Sequence, residues 1–170
     1  MNPVLYESLA RLLEYPTGDF AGRVDEYLEL LPDEKSTAFA AGTGKLSLSA
    51  LEELYIQTFD FNPKCTLDLG WQLFAEDYNR GLFLAKLRAE SRRLGVPETR
   101  ELPDHLPHVL RLLARMTPAD AGDFAATCGA PAVEKTLAAL DEANPYRPLL
   151  DCVLTQLREL AAMQPEEALK

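Results

Sequence analysis

Ser49-Ala50-Leu51-Glu52-Glu53-Leu54-Tyr55-Ile56-Gln57-Thr58-Phe59-Asp60 has the period of a helix and none of the alternation of a strand. Leu51, Leu54, Tyr55 and Phe59 are spaced i, i+3, i+4 and i+8, which places them on one apolar face. Ser49 and Glu52 have the spacing of a capping box, with the hydroxyl turned to the backbone at Glu52 and the carboxylate reaching back. The spacing therefore predicts a long helix, broken at Asp60-Phe61-Asn62-Pro63.

The same period runs outward in both directions. Leu5, Leu9, Leu12 and Leu13 predict one helix and Val24, Tyr27, Leu28 and Leu31 a second. Pro16-Thr17-Gly18 separates the two, and Pro32 ends the second. Thr37 to Lys45, rich in alanine and glycine, reads as a loose connection, partly helical at best. Leu67, Leu69 and Trp71 alternate as a short strand would, but no partner strand is in sight, so helix is the preferred reading. Tyr78 to Leu94 is helical and stops at Gly95 and Pro97.

Asp104 is placed to cap the helix that carries Leu106, Val109, Leu110 and Leu113, with Pro107 in its first turn, where a missing N–H does no harm. Shorter helices are expected over Ala119 to Thr127 and around Val133, Leu137 and Leu140. A long final helix with Leu149, Leu150, Val153, Leu154, Leu157 and Leu160 follows Asn144-Pro145. Residues 164–170 read as a disordered polar tail. The expected architecture is all-α: a single-domain bundle, 1–170, of about seven to nine helices.

Composition narrows the function. The 170 residues are 47% hydrophobic and 26% charged, within the range of an ordinary globular domain. Seventeen Lys and Arg against 27 Asp and Glu give a net charge of -10, which repels nucleic acid and attracts basic peptides or protein surfaces. The same acidity also serves solubility alone. The N-terminal stretch has no basic region followed by a cleavage site, and no apolar run approaches the ~20 residues of a membrane span, so a cytoplasmic protein without membrane insertion is expected. Cys65, Cys128 and Cys152 are odd in number and widely spaced, which argues against a disulfide framework or a zinc knuckle.

No nucleotide-binding, zinc-protease, nucleophile-elbow or calcium-loop motif is present. His105 and His108, three residues apart, would need ligands from elsewhere to hold a metal, and no metal site is expected. Asp104 beside His105 has two readings, an acid–base pair or a helix cap that also serves docking, and the cap is preferred. Glu76 and Asp77 with Arg80 read as a solvated ion-pair face. Tyr55, Phe59, Phe61, Trp71, Phe74, Tyr78 and Phe83 concentrate the aromatic residues in the middle of the chain, as core or as the walls of a groove suited to a basic amphipathic helix.

In this middle region the sequence resembles one family. Leu51-Glu52-Glu53-Leu54-Tyr55-Ile56-Gln57-Thr58-Phe59-Asp60, then Pro63-Lys64-Cys65, then Glu76-Asp77-Tyr78 with Arg80-Gly81 and Phe83-Leu84 resemble, in order and spacing, the NarJ-type nitrate reductase chaperones. Glu101-Leu102-Pro103-Asp104-His105-Leu106-Pro107 is similar to that family's most characteristic stretch, and a shorter E-x-x-D-H form recurs in the wider TorD and DmsD group of redox-enzyme maturation chaperones. The resemblance runs from about Met1 to Leu160.

The resemblance implies an all-helical protein with no catalysis and no cofactor of its own. Its implied partner is the catalytic (alpha) subunit of a molybdenum-dependent nitrate reductase, bound through its N-terminal peptide. The apoenzyme would be kept competent for molybdenum cofactor insertion, with membrane docking delayed until insertion is complete. Carried over position by position, the candidate peptide-binding residues are Glu53, Tyr55, Phe59, Asp60, Trp71, Glu76, Asp77, Asp104 and His105. Tyr55 and Phe59 have core packing as an alternative, and Asp104 has capping. Trp71 departs from the smaller aromatic residue expected at its position. Three rivals stay open: a chaperone for the twin-arginine leader of another molybdenum oxidoreductase, a small helical hydrolase built on Asp104 and His105, and a structural adaptor. Homodimer formation is also left open.

Overall fold

The computed structural model describes residues 2–163, so the expected tail at 164–170 lies outside the described residues. The described chain is all-α. In order come α1 (Pro3–Leu12), α2 (Phe20–Leu30), α3 (Glu34–Thr43), α4 (Leu48–Tyr55), a π-helical turn (Ile56–Asp60), α5 (Leu69–Phe74), α6 (Tyr78–Arg93), α7 (Leu106–Leu113), α8 (Pro118–Phe124), a second π-helical turn (Ala125–Gly129), α9 (Ala130–Ala139) and α10 (Arg147–Ala162). The first π turn extends α4 and the second joins α8 to α9, so the ten α-helices form nine continuous rods among the described residues, the upper end of the expected range.

The second π turn has a local cause. Pro131 lacks the N–H that would reach Thr127, and its ring would crowd that carbonyl. The wider turn before it, in which the Ala130 N–H reaches back to Ala125 O, lets the helix continue instead of breaking. Two helices expected from the sequence are thus one bent rod.

α1 packs against α7 and α2, while α10 packs against α3, α8 and α9. Their apolar stripes supply the core, including Leu9, Leu12, Leu13, Leu110, Leu112, Leu113, Leu149, Leu150, Val153 and Leu157. At one end of the core Tyr146 gathers the aromatic side chains, with ring centroids 5.0 Å from Phe59, 5.8 Å from Phe39 and 6.1 Å from Tyr55. The contacts with Phe59 and Tyr55 are edge-on, and such contacts add to the area buried by about 0.5–1.5 kcal/mol each.

Two local expectations are corrected. The stretch 37–45 is helical through Thr43, because Asp33 and Ser36 form a reciprocal capping box and Phe39 is fully buried between Phe20, Tyr27 and Tyr146. Its alanines and glycines permit close approach: a Cβ on Gly42 would lie 3.3 Å from Pro145 Cβ. At α4 the capping residue is Ser47, not Ser49. Ser47 is extended and its hydroxyl accepts from the Ala50 N–H at 3.2 Å, while Ser49 is already inside the helix.

The alternating Leu67-Asp68-Leu69 contains both readings offered for it. Asp68 and His105 form an isolated antiparallel bridge, in which Leu69 N–H donates to Asp104 O at 3.0 Å and Leu106 N–H to Leu67 O at 2.9 Å. Helix α5 starts at once from that bridge. The starts of α5 and α7 are therefore clipped together, and the functional side chains collect around this clip.

Candidate functional site

The first π turn brings Phe59 inward and leaves Asp60 exposed at its end, with Phe61 N–H bonded back to Ile56 O at 2.9 Å. Turns of this type put one extra residue into the helix and recur at functional sites. Across from it, the bridge sets Asp68 beside His105, with Oδ1 3.1 Å from Nδ1. Arg80, from α6, lies over the Trp71 ring at 5.4 Å and reaches to 3.9 Å from Asp68 Oδ2. An aromatic face and a carboxylate together hold this guanidinium.

Asp104 is the floor of this arrangement. It was expected as the cap of α7, but His105 occupies the cap position and no side chain bonds the first turn. The Asp104 carboxylate instead turns away, is 0% exposed, and accepts the Gly70 N–H at 2.8 Å through Oδ2. The short separation requires glycine at position 70, since a Cβ there would come within 2.7 Å of Asp104 Oδ2 and 3.1 Å of the Phe83 ring. Burial, and next the Asp68 charge, push the Asp104 carboxyl above its ordinary value, against the opposing pull of the Gly70 N–H and Arg80. The partner of His105 is thus Asp68, and the Asp104–His105 pair suggested by adjacency is not formed.

Two cavities, of about 420 and 410 Å³, open on either side of Asp60, Glu101 and His105, which line both. The first is walled by Phe59, Leu67 and Trp71 with Asp68 and Arg80 at its polar side. The second lies between Tyr15, Tyr55 and Pro107, over His108. Together they make one groove with aromatic walls and an acidic middle. Its ion pairs are Arg80 with Asp68 and Arg111 with Glu14, and His105 is hydrogen-bonded to Asp68. Asp60 and Glu101 form no ion pair among the described residues, and burial together with the Glu101 charge raises the Asp60 carboxyl above its ordinary value, against an opposing pull from His105.

Five of the nine candidate residues line this groove: Tyr55, Phe59, Asp60, Trp71 and His105. Tyr55 is also core, since it is buried and its hydroxyl donates to Leu13 O at 3.0 Å. Asp104 sits beneath the groove without lining it. Glu53 is exposed on the outside of α4, where it accepts from Gln57, and Asp77 caps α6 by accepting from Asn79 N–H at 2.8 Å. Glu76 is exposed beside it, and none of these three lines either cavity.

The sequence reading left Asp68 and Tyr15 unnamed, and it named Glu101, Arg80 and His108 without making them peptide-binding residues. Glu101 had a signal, as the acidic first residue of the Glu101–Pro107 stretch. Asp68 had one in its place between two apolar residues of an alternating run.

No family model matches the chain. It is 29% identical over 119 residues to the probable nitrate reductase molybdenum cofactor assembly chaperone NarJ of Bacillus subtilis (strain 168), covering 65% of each chain. To the nitrate reductase molybdenum cofactor assembly chaperone NarJ of Escherichia coli (strain K12) it is 30% identical over 123 residues, covering 66% of this chain and 52% of that one. The match thus spans between about half and two thirds of the length of these relatives. With that likeness added to an all-helical fold and to motifs that converge on one groove, the chain is similar to the NarJ-type nitrate reductase molybdenum cofactor assembly chaperones.

Proposed function

We propose that this chain is a cytoplasmic assembly chaperone that acts on a molybdenum-dependent nitrate reductase. It binds the N-terminal segment of the catalytic subunit and keeps the apoenzyme competent for molybdenum cofactor insertion before membrane docking. The relatives carry the first half of this reading in their names. The observation that supports the second half is the groove, where apolar and aromatic walls flank two carboxylates that have no cation of their own.

An amphipathic basic helix suits such a surface: apolar anchors enter the cavities and supply affinity, while basic residues meet Asp60 and Glu101. The net charge of -10 adds long-range attraction and raises the association rate. The chain performs no catalysis and holds no cofactor in this reading, since insertion happens on the client. No described helix is long and apolar enough to cross a membrane.

Calorimetry with a peptide of the first fifteen or so residues of a nitrate reductase catalytic subunit tests the proposal. Saturable binding is expected, weakened by salt and by Trp71→Ala in the groove wall, and unchanged by Glu53→Gln on the outside of α4. Binding of a twin-arginine leader in place of that peptide would move the client to another molybdenum enzyme. No binding of either would overturn the reading.

A further inference from the structure

We propose that the second cavity is a pocket for one basic side chain of a bound peptide, a guanidinium in preference to an ammonium. Asp60 and Glu101 are its counter-charges, Tyr15 and Tyr55 its walls, and His108 the acceptor at its floor. The inference rests on the proposed peptide-binding function and adds the identity of one subsite.

Three independent features meet there. Asp60 and Glu101 both line the cavity, and no described cation is bonded to either. Arg111, the cation in the same cavity, is already engaged by Glu7 and Glu14 at 2.9 and 2.6 Å. Tyr15 is half exposed and meets Tyr55 edge-on at 5.7 Å, so an aromatic corner stands beside the carboxylates.

The third feature is His108, which is only 4% exposed and lines the cavity. Its Nε2 pairs with the Ser91 hydroxyl at 2.9 Å, while its Nδ1 is buried with no partner among the described residues. An orphaned buried nitrogen is unfavourable until something pairs with it. Burial and the nearby Arg111 and His105 charges hold His108 below its ordinary value, hence neutral. The pocket requires the tautomer in which Nε2–H donates to the Ser91 hydroxyl, which leaves Nδ1 as an acceptor.

A guanidinium answers all three features at once. Its plane stacks on tyrosine, and its several N–H groups can reach two carboxylates and an imidazole nitrogen together. An ammonium has three donors but no plane to stack.

The test is a double-mutant cycle by calorimetry. The probe is the fifteen-residue N-terminal peptide of a nitrate reductase catalytic subunit, with each arginine in turn replaced by citrulline and each lysine by norleucine. These are set against the wild-type protein, Glu101→Gln and, as a control outside the cavity, Glu53→Gln. Glu101 is exposed, so its variant is not expected to disturb folding. One peptide position should lose about tenfold in affinity against the wild type and little more against Glu101→Gln, a coupling on the scale of close charge pairs. The same position should show no coupling to Glu53. If the unmodified peptide binds but every basic position is additive with Glu101→Gln, the pocket is overturned and the chaperone reading stands. If the unmodified peptide does not bind at all, the chaperone reading itself fails.

Discussion

Helices α6 and α10 are both 16 residues long, and the protein uses them in opposite ways. α10 buries Leu149, Leu150, Cys152, Val153, Leu154, Leu157 and Leu160 against α3, α8 and α9. α6 buries only Leu87 and Ser91, packs chiefly on the short α5, and leaves Tyr78 and Leu82 81% and 47% exposed. Burial of area holds the first helix in place. Specific bonds hold the second: the Asp77 cap, the Ser91–His108 pair, the left-handed Gly95 at its end, and Arg115 donating to Gly95 O.

The difference places the groove on the more weakly buried side of the molecule. Gly70, which bonds Asp104, and Arg80 and Phe83, which pack beside Gly70, come from α5 and α6. A wall held by a few directional bonds can shift to admit a ligand while the core around α10 stays closed.

The largest effect that would break this contrast is in the core. Leu150→Ala, at a fully buried position of α10, should lose about 3–5 kcal/mol, whereas Leu87→Ala in α6 should lose about 2 kcal/mol. Chemical denaturation measures both. Equal losses would mean that α6 is as much a part of the cooperative core as α10. Hydrogen exchange gives a second reading, with α6 amides expected to open well before those of α10.

Next comes the clip beneath the groove. Gly70→Ala forces a Cβ against Asp104 Oδ2 and the Phe83 ring, and should destabilise by about 1–3 kcal/mol. Peptide affinity should fall along with it.

These particular side chains also mark where the sequence was legible. Helix positions followed from the apolar period, and Gly95 ended α6 as expected. α3 was hidden because Phe39 is its one large buried side chain and alanine and glycine give no period. The floor of the groove was hidden for a different reason. An aspartate just before a helix looks the same whether it caps that helix or turns to a backbone N–H 34 residues away. Asp68 and His105 are likewise joined over 37 residues by a bridge that no local pattern announces. Tyr55 and Phe59 were visible because they share a helix face, and the carboxylates of the groove were partly missed because only the tertiary fold brings them together.

Asp104 offers a smaller, pH-dependent test. Its folded carboxyl holds a proton more tightly than the unfolded value of 3.8, so its share of stability is present at low pH and lost as pH rises through the folded value. Asp104→Asn keeps an oxygen for Gly70 N–H and cannot ionise, so it should gain on the wild type as pH climbs from about 4 toward neutrality. Asp104→Ala leaves the N–H orphaned and should be less stable than Asp104→Asn by about 1–3 kcal/mol. His108 has the opposite sign. Its folded value lies below 6.5, so its share of stability is present above pH 6.5 and lost as pH falls below it. His108→Gln should flatten that acid limb alone, and thermal melts across pH separate the two groups.

The smallest expected effect sharpens the contrast most. Tyr78→Ser and Leu82→Ser lie on the outer face of α6, where their side chains bury little area, so each should move stability by less than about 0.5 kcal/mol. An equal change on α10, such as Leu154→Ser, removes a buried side chain and introduces a hydroxyl, and should lose several times as much. Two exposed apolar residues one turn apart on a helix that is otherwise poor in apolar contacts are not accounted for by folding. If stability is unchanged while peptide affinity drops in the double variant, the outer face of α6 belongs to the binding surface. If both are unchanged, the surface ends at Arg80 and Trp71, and α6 serves only as the wall that holds them.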